Sequence, residues 1–155
     1  MVSATVVFGL EMAVVVNGDD LMTNEDILKL YSALDHIKSN QDLKFNIRIG
    51  YALAKNLELL KPEVKLIYEL RQKIFGEYGE TNGKGEIIVP KEKLDALGKK
   101  LKELMSIEND VKILQLPIDI FDEVEDKLSL EDISGLSGMI YIPEYTGEPI
   151  KKQEQ

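Results

Sequence analysis

The sequence predicts a helix-dominated α+β fold built around an antiparallel helical hairpin, at about residues 44–78 and 91–108, together with a small β-sheet. Between Tyr51 and Tyr78, apolar residues recur at steps of three or four, with one step of seven. This is the spacing of a helix that packs along another helix. A second run with the same rhythm follows after a short glycine-rich segment. The two apolar sets are Leu53, Leu57, Leu60, Val64, Ile67 and Ile74, then Leu94, Leu97, Leu101 and Leu104.

Three strand-like segments predict the small β-sheet at one end of the molecule. Residues 2–16 are rich in β-branched side chains and read as one or two strands. Residues 86–89 and 111–121 supply the others, and Pro117 requires an edge position or a bulge. An unpaired valine-rich strand would invite aggregation, so we expect it to pair with another strand or with a partner chain. The candidate oligomer-contact residues are Val6, Phe8, Val14 and Val16.

Two capping boxes predict the starts of two further helices. In each, a hydroxyl accepts a backbone N–H three residues later, and the carboxylate at that later residue reaches back. Thr23 and Asp26 form the first box, before an apolar face at helical spacing. Ser129 and Asp132 form the second, before a short helix and a final strand at about 139–142.

The first hairpin helix contains two ambiguous positions. Residues 43–49 alternate like a strand, but the strongly helical run that follows favours a helix from about Lys44. Pro62 removes one backbone N–H and crowds the carbonyl of Glu58, which predicts a kink or a short break. Since the apolar rhythm continues through Pro62, a kink is the better interpretation.

The composition is that of one globular domain, which we place at residues 1–142, with a flexible tail at 143–155. The chain has 155 residues, of which 44% are hydrophobic and 30% charged. The apolar stretch at 2–16 is too short to span a membrane and lacks the basic region of a signal peptide. The absence of cysteine excludes disulfides, zinc–thiolate sites and thiol nucleophiles. We therefore expect a cytoplasmic protein.

The net charge of −9 is concentrated in one stretch. Residues 1–114 carry 18 acidic and 16 basic side chains, whereas residues 115–132 carry seven acidic side chains and only Lys127. Such a surface repels nucleic acid and anionic membranes and attracts a basic partner, although a solvated loop is the simpler explanation. We define the acidic patch by five candidate partner-binding residues: Asp119, Asp122, Glu123, Glu125 and Asp126.

Signatures of catalysis or metal binding are weak. His36 is the only histidine, and a general base would need an orienting partner. Because it lies next to Ile37 on the first helix, we expect His36 to be a surface residue. The carboxylates at 119–126 could coordinate a divalent cation, but they do not match an EF-hand loop. The glycines at 79–85 lack the phosphate-loop pattern and indicate a hairpin tip. We predict no catalytic residue, no metal and no cofactor.

Several short motifs lie mostly in caps and core positions between about residues 22 and 142. They are Thr23-Asn24-Glu25, Leu30-Tyr31, Ala33-Leu34, Tyr51 with Lys55-Asn56, Leu60 with Pro62-Glu63, Tyr68 with Arg71, Tyr78-Gly79-Glu80, and Leu128-Ser129 with Asp132-Ile133 and Leu136. In these motifs the chain resembles small helical proteins that bacteriophages and prophages encode. Those proteins often begin near the residue matching Met22, so residues 1–21 are either a native strand or an upstream extension. The family has no established activity, and the resemblance implies no functional residues.

We therefore expect a non-enzymatic protein–protein interaction protein that forms a homo-oligomer and binds neither nucleic acid nor membrane. The resemblance implies a phage or prophage accessory or assembly protein, located in the host cytoplasm. Two alternatives stay open. One is an inhibitor of a host protein or defence system that acts through the acidic patch. The other is a metal-dependent enzyme that uses the carboxylates of residues 119–126.

Overall fold

A computed structural model describes residues 5–8, 12–15, 21–122 and 127–142. Within these ranges the helix-dominated α+β fold is confirmed. The helices are α1 (Asn24–Ser39), α2 (Ile47–Tyr78), α3 (Leu94–Ser106) and α4 (Leu130–Gly135). The strands are β1 (Thr5–Phe8), β2 (Met12–Val15), β3 (Met22–Thr23), β4 (Glu80–Thr81), β5 (Ile87–Ile88), β6 (Glu108–Asn109), β7 (Leu116–Pro117) and β8 (Ile140–Tyr141). The tail predicted at 143–155 lies outside the described residues.

Both predicted capping boxes are confirmed. At the start of α1, Thr23 Oγ1 accepts the Asp26 N–H at 3.2 Å, and Asp26 Oδ2 accepts the Thr23 N–H at 3.0 Å. At the start of α4, Ser129 Oγ accepts the Asp132 N–H at 3.1 Å, and Asp132 Oδ2 accepts the Ser129 N–H at 3.4 Å. Local hydrogen bonds therefore set where these two helices begin.

Helix α2 begins at Ile47, three residues later than predicted. The side chain of Asn46 accepts the backbone N–H of Ile49 at 2.9 Å and caps the helix there. The helix continues without a break through Pro62 to Tyr78. At 1.5 Å per residue, its 32 residues span about 48 Å, which makes it the longest element among the described residues.

The predicted helical hairpin is confirmed, because α2 and α3 pack together after the chain reverses between them. Helix α1 also packs against α2. The regularly spaced apolar residues of α2, which we call its seam, are buried from Leu53 to Ile67, while Ile74 is only half-buried. In α3, Leu97 and Leu104 are buried and Leu94 is exposed. The main core comprises Ile27, Leu30, Ala33, Leu34, Ile37, Ile49, Ala52, Leu53, Leu57, Leu60, Val64, Ile67, Leu104, Ile113, Leu116, Phe121, Leu136 and Met139.

The expectation of one small sheet is wrong for the described residues, where the strands form four separate pairs. The antiparallel pairs are β1 with β2, β3 with β6 and β4 with β5, while β7 and β8 pair in parallel. The valine-rich segment forms two strands, which pair with each other. Of the strand predicted at 111–121, only Leu116–Pro117 is a strand.

A buried asparagine occupies the backbone of Leu114, within the segment predicted to be a strand. Asn56 is fully buried in α2, where its Nδ2 donates to the carbonyl oxygen of Leu114 at 2.8 Å. Its Oδ1 accepts the Leu114 N–H at 2.7 Å. Both backbone groups of Leu114 are therefore occupied by a side chain and are unavailable to a neighbouring strand.

Candidate functional site

The acidic patch is only partly described. Asp119 lies on a 3₁₀ turn at Ile118–Phe121, Asp122 follows it, and both are exposed. Glu123, Glu125 and Asp126 lie outside the described residues. Among the residues that the structure does describe, no group of three or more His, Asp or Glu side chains could hold a metal ion. Partner binding by this patch stays a prediction.

Three of the four candidate oligomer-contact residues lie in the β1–β2 hairpin. Val6 is opposite Val14, and Phe8 is opposite Met12. Val16 lies outside the described residues. The pairing gives both strands a partner within the chain, and a contact with a second copy through these residues stays a prediction.

The longest uncovered part of the described chain is the end of the helical hairpin. We call residues 68–96 the distal arm; it comprises the last eleven residues of α2, the β4–β5 hairpin and the start of α3. No residue of the distal arm is buried. Five large apolar or aromatic side chains are nevertheless exposed there: Tyr68, Leu70, Ile87, Ile88 and Leu94. Exposed apolar side chains mark a binding site when they form a contiguous patch.

Local contacts, together with the packing of Ile74 against the core, hold the distal arm in shape. The guanidinium of Arg71 lies 5.7 Å from the centre of the Phe75 ring, which is a cation–π geometry. The backbone N–H of Gly79 donates to the Phe75 carbonyl at 2.8 Å. The side chain of Ile87 occupies the space where a Cβ at Gly79 would lie, so this close approach requires glycine. The exposed apolar side chains therefore project from formed secondary structure.

The turn at the tip is also ordered by its own side chains. Asn82 Oδ1 accepts the backbone N–H groups of Lys84 and Glu86 at 2.8 and 3.0 Å. Gly85 adopts φ of 80°, a conformation that favours glycine. This confirms the prediction that the glycine-rich segment is a hairpin tip.

The distal arm is nearly neutral, although the protein is acidic. It carries five basic and six acidic residues, a net charge of −1. The rest of the chain carries 14 basic and 22 acidic residues, a net charge of −8. The excess of acidic side chains therefore lies outside the distal arm, and most of it lies in residues 115–132.

A second polar feature joins α1 to α4, at the only histidine. His36 Nδ1 lies 2.8 Å from Asp132 Oδ1, and the two residues are 96 positions apart. The side chain of His36 is 66% exposed, as predicted, whereas Asp132 is buried. Burial raises the pKa of Asp132, but hydrogen bonds from Ser129 and His36 outweigh it and hold the pKa of Asp132 below its ordinary value.

This lowered pKa predicts a loss of stability in acid. The stabilisation from Asp132 is complete above its unfolded pKa, about 3.9, and disappears as the pH falls through the lower folded pKa. We expect wild-type protein to lose more unfolding free energy between pH 6 and pH 3 than Asp132→Asn, measured by urea titration at each pH. The matched variant is Asp42→Asn, at an exposed carboxylate. An equal loss in wild type and Asp132→Asn would contradict the prediction.

A small apolar cleft lies between the end of α1 and the start of α2. Its volume is about 280 Å³, and Leu43 and Phe45 line one side. Lys38 and Glu58 stand among its lining residues with opposite charges. A cleft of this size is at the lower limit for an organic ligand, and its balanced charges favour no ligand class.

In comparisons with known proteins, no family model, no curated protein and no solved structure matches this chain. The likeness to phage-encoded proteins therefore stays a prediction. None of the described helices is both long enough and apolar enough to cross a membrane.

Proposed function

We propose that the protein is a non-enzymatic protein–protein interaction protein whose contact surface is the distal arm. One observation carries the proposal: 29 consecutive residues contain no buried side chain but expose five large apolar or aromatic ones. A folded chain gains free energy when such side chains are covered, at about 25 cal/mol per Å² of apolar surface. In the setting that the phage resemblance implies, this role would be accessory or assembly-related.

The arrangement of the core supports this assignment of the surface. The buried apolar residues of α2 end at Ile67, so one face of the helix is covered within the chain over about its first two thirds. Beyond Ile67 the same helix continues for eleven residues with only half-buried or exposed side chains. In this part Ile74 still packs against the core, while the exposed side of the helix supplies an accessible face for another protein.

We expect the double substitution Leu70→Glu with Ile88→Glu to weaken association at least tenfold, because it places charge where apolar surface would be covered. Both residues are exposed, so the unfolding free energy should change by less than about 1 kcal/mol. Association is measured by light scattering of the purified protein, and by recovery of partner proteins from the source cell with tagged protein as bait. Circular dichroism and urea titration check the fold.

The matched control is Ile47→Glu, because Ile47 is 87% exposed but lies at the opposite end of α2. This variant should associate like wild type. If Ile47→Glu and the arm variant behave alike in both assays, the distal arm is not the contact surface. Salt separates the acidic-patch alternative, since contact through acidic residues weakens as ionic strength rises, whereas apolar contact does not.

A further inference from the structure

We infer that Asn82 is a modification site controlled by the hairpin tip: its side-chain amide is protected while the tip is closed and becomes aspartate or isoaspartate when the tip opens. Asn82 is followed by Gly83 in the turn between β4 and β5. This role is independent of whether the distal arm is a contact surface. It follows from the chemistry of the residue pair and from the hydrogen bonds that hold Asn82.

An asparagine that precedes glycine reacts with its own backbone. The Gly83 nitrogen bonds to Cγ of Asn82, the Cγ–Nδ2 bond breaks, and water carries the Gly83 proton to the departing nitrogen, which leaves as ammonia. The ring that forms is a succinimide, and water opens it at either carbonyl carbon to give aspartate or isoaspartate. Glycine favours ring closure because it has no Cβ to crowd the attacking nitrogen. Asparagine is accordingly one of the thermolabile residues.

The closed tip holds both ends of the Asn82 side-chain amide. Its Oδ1 accepts the backbone N–H groups of Lys84 and Glu86 at 2.8 and 3.0 Å. Its Nδ2, the atom that leaves in the reaction, donates to Oε2 of Glu86 at 3.0 Å. Ring closure brings Cγ to covalent distance from the Gly83 nitrogen and expels Nδ2. This movement requires the hydrogen bonds of the amide to break.

Backbone hydrogen bonds also fix the main chain at Asn82. Its N–H donates to the Glu86 carbonyl at 2.9 Å, and its carbonyl oxygen accepts the Gly85 N–H at 3.1 Å. The Asn82 carbonyl carbon and the Gly83 nitrogen are both members of the succinimide ring, so ring closure needs a main-chain rotation that the closed turn opposes. The reaction therefore proceeds from the opened tip, and its rate follows the fraction of molecules that are open.

The product does not close the tip as before. Aspartate at position 82 has no N–H for Glu86 and places a second carboxylate beside it, so the Glu86 side chain has to turn away. Isoaspartate lengthens the main chain by one atom inside the turn that the hydrogen bond from Asn82 N–H to the Glu86 carbonyl closes. Modified molecules therefore keep a looser tip.

Mass spectrometry of the peptide that contains residue 82 measures the conversion, since the acid is heavier than the amide. At neutral pH we expect conversion to be at least about tenfold slower in folded protein than in urea, because several hydrogen bonds must break first. Asn17, which also precedes glycine, reports the intrinsic rate in the same urea sample. Equal rates at Asn82 in folded protein and in urea overturn the inference.

Substitution of Glu86 tests the side-chain bond directly. Glu86→Ala removes the acceptor of Nδ2 and should speed conversion of the folded protein about threefold or more, without changing the rate in urea. The matched variant Glu86→Gln keeps an acceptor oxygen and should react like wild type. Circular dichroism checks that both variants fold, as expected for an exposed residue. If Glu86→Ala reacts like wild type when folded, the tip does not control the reaction.

Hydrogen exchange tests the effect of the product on the tip. Protein purified with isoaspartate at position 82 should exchange the Gly85 amide faster than unmodified protein, because that amide donates to the Asn82 carbonyl in the closed turn. Equal exchange in the two forms would show that the modified tip closes normally, and would overturn the loosening.

Discussion

Replacing Leu60 with alanine is expected to lower the free energy of unfolding by about 2–5 kcal/mol. Leu60 is fully buried on the seam of α2, so the change removes apolar contacts and leaves a cavity in the main core. The same substitution at Leu66, which is 51% exposed in the same helix, is expected to cost less than about 1 kcal/mol. Urea titration monitored by circular dichroism measures both values.

Comparison of the two leucines tests which side of α2 is covered within the chain. They have the same chemistry and the same helix propensity, and they lie six residues apart. Equal costs at the two positions would mean that the helix does not bury the face containing Leu60. If the protein associates, the effect of Leu66→Ala on the unfolding free energy should be measured at low concentration, because a bound partner adds to the measured stability.

Replacing Asn56 with alanine is expected to cost about 2–4 kcal/mol, because it leaves the N–H and the carbonyl oxygen of Leu114 without their partner. The side chain of Asn56 also lies 3.6 Å from the sulfur of Met139, so a cavity would open in the core. Urea titration again gives the free energy. Hydrogen exchange should show faster exchange of the Leu114 amide.

Asn40→Ala is the matched control for this prediction. Asn40 is half-exposed at the end of α1, where its Oδ1 accepts one backbone N–H, from Asp42 at 3.1 Å. Its loss is expected to cost about 1 kcal/mol or less, since water can replace the side chain. If Asn56→Ala proves as mild as Asn40→Ala, the segment around Leu114 is not held by the asparagine in solution.

The parts of the fold that depend on local sequence could be predicted. Thr23 with Asp26, and Ser129 with Asp132, satisfy each other's backbone groups within three residues, so their pattern is enough to place two helix starts. The strand pairs could not be placed in the same way. For example, β7 joins β8 more than twenty residues later through only two residues on each side, which leaves no local pattern to detect.

The candidate site was only partly predictable, for a related reason. The apolar rhythm of α2 runs on to Ile74 and predicts a face to be covered, but periodicity does not say which chain covers it. The structure buries that face up to Ile67 and leaves Leu94, on the opposing run, exposed. The pairing of His36 with Asp132 had no sequence signal, because it joins two positions 96 residues apart.

The core places a constraint on how the protein is made. Ile27, near the start of α1, shares one core with Leu136 and Met139, which follow α4. During synthesis these residues emerge in sequence order, so the apolar face of α1 waits on the order of ten seconds for its last neighbours. We expect a ribosome-bound chain that has emerged only as far as residue 135 to be more sensitive to protease than one in which residue 142 has also emerged.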